Sequence, residues 1–172
     1  VQTDVAEDRR VTLRAGTLSA ELAPTCGGRL AMLRVDGASG PVDIVPPLGP
    51  WRSEARSWPK EGAYPLFPYS TRIRGAVLHH AGRDVALRPH PAAPPHALHG
   101  PAHLRPWRLL SSDEANAEIA LDYAPDEDWP WAFEARQAFA LTPDGLTLRL
   151  CMRNRSDEPA PAGIGWHPYL LC

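Results

Sequence analysis

The chain has 172 residues, a formal net charge of −2 with histidine neutral, and 44% hydrophobic residues, values that fit one globular domain and exclude disorder. Eighteen basic residues interspersed with twenty acidic ones, with no aromatic-basic stripe, leave no footprint for nucleic acid. No apolar run approaches the roughly 20 residues of a membrane-spanning helix, so no membrane insertion is expected.

The N-terminal "VQTDVAEDRR" carries acids early and lacks an apolar core, so it does not read as a secretory signal. It starts at Val1 without methionine, as expected of a trimmed chain or of one whose initiator was removed before valine. "VTLRAG", "TLSAELA" and "GGRLAMLRVDG" follow as strands; in the third, Leu30, Met32 and Arg34 oppose Ala31, Leu33 and Val35. "GPVDIVPPLGP" (40–50) and "RPHPAAPPHALHGPAHLRP" (88–106) read as loops over a β scaffold, and "SEARSW" (53–58) as one helical turn at most. "WRLL" (107–110) and "AEIALDYA" (117–124) are two more strands around a polar turn.

The clearest hairpin is "WAFEARQAFALT", "PDG", "LTLRLCMRN". Phe133, Ala135, Gln137, Phe139 and Leu141 share one face of its first strand, and Leu146, Leu148, Leu150 and Met152 one face of its second. Asp144–Gly145 is the expected turn. Twenty prolines spread along the chain disfavour long helices. The expected class is all-β, a sandwich or barrel of short antiparallel strands. Cys26, Cys151 and Cys172 are odd in number and form no CxxC, which argues against a disulfide framework and makes a reducing cytoplasm the expected location.

Six of the seven histidines fall between positions 79 and 103. His96, His99 and His103 have helical spacing for a metal, but Pro94, Pro95, Gly100, Pro101 and Pro106 block the helix, so no metal site is expected. His79 and His80 read as a surface pair on opposite faces of a strand. In "HALHG", Leu98 is an anchor and Gly100 permits a tight turn that aims His99 into a cleft, although spacing alone favours a structural histidine. Arg72, after "PLFPY", is a cation in an apolar setting; buried there it needs a carboxylate or ligand hydroxyls. Arg74 would point the same way and be the solvated one. At His167, Pro168 fixes the backbone and Trp166 and Tyr169 surround the ring; a core histidine and a catalytic one look alike at this level. There is no GxSxG elbow, P-loop or GxGxxG.

Together "GGRLAMLRVDG", "YPLFPYSTRIRG", "HALHG" followed by Trp107, the hairpin through "LTLRLCMRN", and "GWHPYL" resemble the aldose 1-epimerase family, the galactose mutarotases and their relatives. The resemblance runs from about Gly27 onward, and it implies a twisted antiparallel β-sandwich with a carbohydrate groove. It implies interconversion of the α and β anomers of a free aldose, without metal or organic cofactor. By the same resemblance Arg72 is a sugar-binding arginine, His99 the histidine of the "LHG" segment, and His167 the general acid of the "HPY" segment. Thr71 stands where many members have asparagine, which weakens one hydroxyl contact, and Leu170 replaces the usual aromatic after "HPY". The expected site is therefore His167 and His99 as catalytic groups, with Arg72, His99 and Thr71 binding the sugar.

The family's general base is a glutamate of the C-terminal part, beyond "HPY". Residues 1–172 are accordingly expected to be the N-terminal portion of one sandwich domain. Glu114, Glu118, Glu127 and Glu134 sit in no family motif and are expected to be solvated. The expected partner is a monosaccharide, with a homodimer left open. Three functions remain: an epimerase of which this is part, a carbohydrate-binding protein without the base, and an inert fragment whose exposed sheet edges are sticky.

Overall fold

The computed structural model describes residues 10–49 and 60–171. Strands β1 (Val11–Ala15), β2 (Leu18–Ala23), β3 (Arg29–Gly37), β4 (Gly40–Val45) and β5 (Ala63–Leu66) come first. The short β6 (Arg72–Ile73), β7 (Val77–His80), β8 (Arg83–Ala86) and β9 (Ala97–Leu98) follow. Then come β10 (Arg108–Ser112), β11 (Asn116–Tyr123), β12 (Phe133–Thr142), β13 (Gly145–Asn154) and β14 (Gly165–Pro168). The helical segments among the described residues are three-residue 3-10 turns, as the prolines require.

Two antiparallel sheets carry the fold. The larger runs β1-β2-β3-β5-β14, with β4 sharing the β5 edge of β3; the smaller runs β10-β11-β12-β13. β6 pairs β9, and β7 pairs β8, as separate ribbons. One apolar core fills the space between the sheets: Leu13, Ala20, Leu22, Leu30 and Ala63 from one, Ile119, Phe133, Phe139 and Leu141 from the other. Each such large side chain contributes about 1.5 to 3 kcal/mol on burial.

The long hairpin forms as the period-2 pattern dictates. Ala135 faces Met152, Gln137 faces Leu150 and Phe139 faces Leu148 across β12 and β13, so the two apolar faces coincide. Its reversal falls on Pro143–Asp144, one residue earlier than expected, because Thr142 pairs Gly145 and the fixed φ of proline suits the first turn position. β10 and β11 fall where expected.

Four expectations change. "GPVDIV" is strand β4 rather than loop; among the described residues β4 pairs β3 alone, and an edge strand accommodates Pro41. β3 does not alternate at its start, because Arg29 through Met32 are all buried; Cys26, Ala31 and Leu48 with Ala23 form a second small core. Glu134 is buried, not solvated, held by Arg136 and Arg155, which keep its carboxyl below the usual range. Arg74 does not continue a strand but begins a 3-10 turn. "SEARSW" lies outside the described residues. Cys26 and Cys151 form no disulfide among the described residues, outside which Cys172 lies, and no helix among the described residues is long and apolar enough to cross a membrane.

Candidate functional site

β14 lies beside β5 in antiparallel register, with His167 opposite Tyr64 and Trp166 opposite Pro65. Alternation along a strand sends Trp166 toward the core and His167 to the other face of the sheet, where Tyr64 stands beside it. On the far side of β5, Leu30 of β3 pairs Ala63, so Arg29 falls on the face of Tyr64. Arg29, Tyr64 and His167 thus form a row across three neighbouring strands. The Tyr64 and His167 rings stack at 4.9 Å with 7° between their planes, and the Arg29 guanidinium carbon lies 4.6 Å from the Tyr64 centroid. Tyr64 and Arg29 are each 1% exposed. Burial pulls the Arg29 guanidinium down to about 10, still charged at neutral pH.

Residues 97–104 bring two more imidazoles to this row. His99 is half-buried, 5.6 Å from His167 in edge-to-face contact, and His103 is buried 5.2 Å from Tyr64. The two-residue β6–β9 ladder sets His99 in place: Arg72 pairs Leu98, and the next amide, His99 N–H, donates to Thr71 O at 2.9 Å. Both Thr71 (φ 63°) and His99 (φ 62°) occupy the left-handed region, an uncommon conformation that is strained for a β-branched residue. Gly100 makes the turn possible, since at φ +66° a Cβ would sit 2.0 Å from Phe67 O. At Gly27 a Cβ would lie 2.0 Å from His103 O, so the "GG" before Arg29 lets β3 and the histidine loop approach.

The electrostatics are one-sided. Burial, then the neighbouring His167, Arg72 and His90, pull His99 down to about 4. Burial and the Arg29 charge hold His103 well below the ordinary histidine value. His99 is therefore neutral at neutral pH, able to donate one hydrogen bond and accept another. His167 Nδ1 is buried without a hydrogen-bond partner among the described residues.

The structure thus brings His99 and His167 together from positions remote in sequence, with Arg72 near enough for its charge to bear on His99. Arg72 and Thr71 are exposed; the cation buried in apolar surroundings is Arg29 instead. The ring against His167 is Tyr64, with Tyr169 at 5.0 Å, while Trp166 packs on the core. His96 turns away to accept from Gly75 N–H at 3.0 Å. His79 pairs with Asp84 at the surface and His80 with Pro159 O. Arg29, Tyr64 and His103 were not singled out from the sequence; the paired glycines before Arg29 are a signal that could have pointed to a close backbone approach there. A depression of about 400 Å³ on the outer face of β10–β13, lined by Asp113, Glu118, Thr147 and Arg149 among others, holds no imidazole.

The comparisons bear on the fold and family that carry this arrangement. The profile of the aldose 1-epimerase family matches residues 9–172. The uncharacterized Escherichia coli K12 protein YphB is 32% identical over 106 residues, 62% of this chain and 36% of its own length. A candidate aldose 1-epimerase from the same organism superposes with a TM-score of 0.78 at 26% identity, covering 93% of this chain and 51% of that one. A galactose mutarotase-like protein from Clostridium acetobutylicum gives the same score at 20% identity, over 95% and 51%. The chain spans about half the length of those structures and about a third of the curated relative. With the profile matched over nearly all its residues, and with an antiparallel galactose mutarotase-like fold, the chain belongs to the aldose 1-epimerase family.

Proposed function

We propose that the protein interconverts the α and β anomers of a free hexose, and that these 172 residues supply its acid and part of its sugar-binding surface. The observation that carries this reading is the His99–His167 pair, two half-buried imidazoles 5.6 Å apart beside the Arg72 charge. In a hexopyranose the C1–O5 bond breaks as O5 gains a proton and the anomeric hydroxyl loses one. The open aldehyde turns about C1–C2, and the ring closes on the other face. His167 is the proposed proton donor to O5, since imidazole chemistry suits transfer near neutral pH. Neutral His99 and exposed Arg72 hold sugar hydroxyls, with Thr71 at the rim, so that O5 meets the acid.

A base must take the anomeric proton. Beyond burial, the charges that lower the His99 pKa are those of His167, Arg72 and His90, and the resemblance puts the family's base, a glutamate, beyond the "HPY" segment. In this reading the base belongs to protein outside these 172 residues, consistent with relatives about twice as long. The same observation favours a second reading, sugar binding without catalysis.

Polarimetry of fresh α-glucose or α-galactose with the full-length gene product separates the two. Catalysis predicts equilibration faster than the spontaneous rate, and a loss of about a hundredfold or more in His167→Ala. Calorimetric binding with no rate effect selects the second reading. A His167→Ala enzyme as fast as wild type removes His167 as the acid.

A further inference from the structure

Arg29 and Tyr64 are buried beside the imidazole pair, and the reaction as proposed uses neither. A histidine's outer torsion is broad, so a half-buried imidazole needs something to hold its plane if its N–H is to meet one particular oxygen. Tyr64 meets that need geometrically, since its ring lies 7° from parallel with His167 at 4.9 Å. Tyr64 is itself held: β5 lies between β3 and β14, with the Arg29 guanidinium 4.6 Å from the ring centroid and His103 at 5.2 Å. A guanidinium over an aromatic face is attracted by the ring quadrupole, and at 1% exposure the phenol ring is packed among these neighbours. Across the site, His99 meets both rings at an angle, 64° to Tyr64 and 71° to His167.

We propose that Tyr64, seated on the Arg29 guanidinium, is a positioning residue that fixes the ring plane of His167 for proton transfer. The proposal rests on the reading of His167 as the acid. Tyr64 contributes its ring rather than its hydroxyl, and it acts through His167 without touching the sugar.

The test uses the full-length gene product and two readouts. In Tyr64→Leu, kcat falls about tenfold to a hundredfold while KM for the sugar stays within about twofold, the signature of lost alignment rather than lost binding. Tyr64→Phe keeps the ring and restores kcat to within about threefold of wild type. The second readout is the proton spectrum of the His167 ring, assigned by its disappearance in His167→Ala. Its signals are displaced by the aromatic ring current in wild type and in Tyr64→Phe, and return toward ordinary positions in Tyr64→Leu. Equal losses in the Phe and Leu variants, a Leu variant with undiminished kcat, or a wild-type His167 without the displacement each overturns the proposal. Tyr64→Met replaces the Leu variant if that one does not fold. Should His167→Ala keep its rate, the acid assignment fails while the spectrum still reports the stack; should it lose its rate and Tyr64→Leu not, this proposal alone fails.

Discussion

Two residues at the site hold conformations that their side chains resist. Thr71 sits at φ 63°, where a β-branched side chain crowds the backbone and an asparagine is tolerated. Thr71→Asn is therefore expected to stabilise the protein by about 1 kcal/mol in urea unfolding, with an unchanged m-value. His99 carries a different cost. Its pKa, drawn down to about 4 from 6.5 by burial and the charges around it, means that between those values the unfolded chain binds a proton the folded one refuses. Stability therefore rises with pH across that window and is lost as pH falls from 6.5 toward 4. His103 acts with the same sign. Thermal melts between pH 7 and 4 are expected to show a falling Tm, with a shallower fall in His99→Asn.

At the scale of elements, the site depends on backbone approaches that only glycine permits. Gly100 joins the end of β9 to the histidine loop and packs on Phe67 O, so Gly100→Ala meets both a left-handed φ of +66° and a Cβ contact of 2.0 Å. A loss of at least about 2 kcal/mol is expected by chemical denaturation, with His99 displaced from His167. The β12–β13 hairpin shows what local pattern can specify. Its alternating residues declare both faces, and a one-residue slip would oppose the buried face of Phe133, Ala135, Phe139 and Leu141 to the polar face of β13. β4 shows the opposite case. "GPVDIV" looks like loop because of Pro41, and it becomes a strand because β3 offers an edge whose pairing tolerates a missing N–H.

Considered whole, the chain presents an apolar margin. Among the described residues β14 pairs β5 alone, and the segments around it expose Ile164, Leu170 and Leu171, at 46, 61 and 57%. Such surface promotes association. Light scattering of the 172-residue chain is expected to show mass rising with concentration, and Leu170→Lys with Leu171→Glu to suppress the rise. A constant monomer mass would contradict this. On the other side of the larger sheet Trp166, partly buried, packs against the sandwich core.

What the sequence determined by itself was class and order: proline excluded long helices, period-2 runs declared strands, and ordered motifs declared the family. It also singled out His99 and His167, through the resemblance of "HALHG" and "GWHPYL" to family motifs, since by local pattern alone either could be a core histidine. Only the tertiary structure decided which neighbours those imidazoles have. Arg29, Tyr64 and His167 meet through the registers of β3, β5 and β14, and register is a property of strand pairs, written in no single segment. The same holds for the buried cation. Arg29 is hidden and Arg72 exposed because the start of β3 is buried on both faces, whereas among the described residues β6 pairs the two-residue β9 alone, a difference of packing that composition around either arginine does not encode.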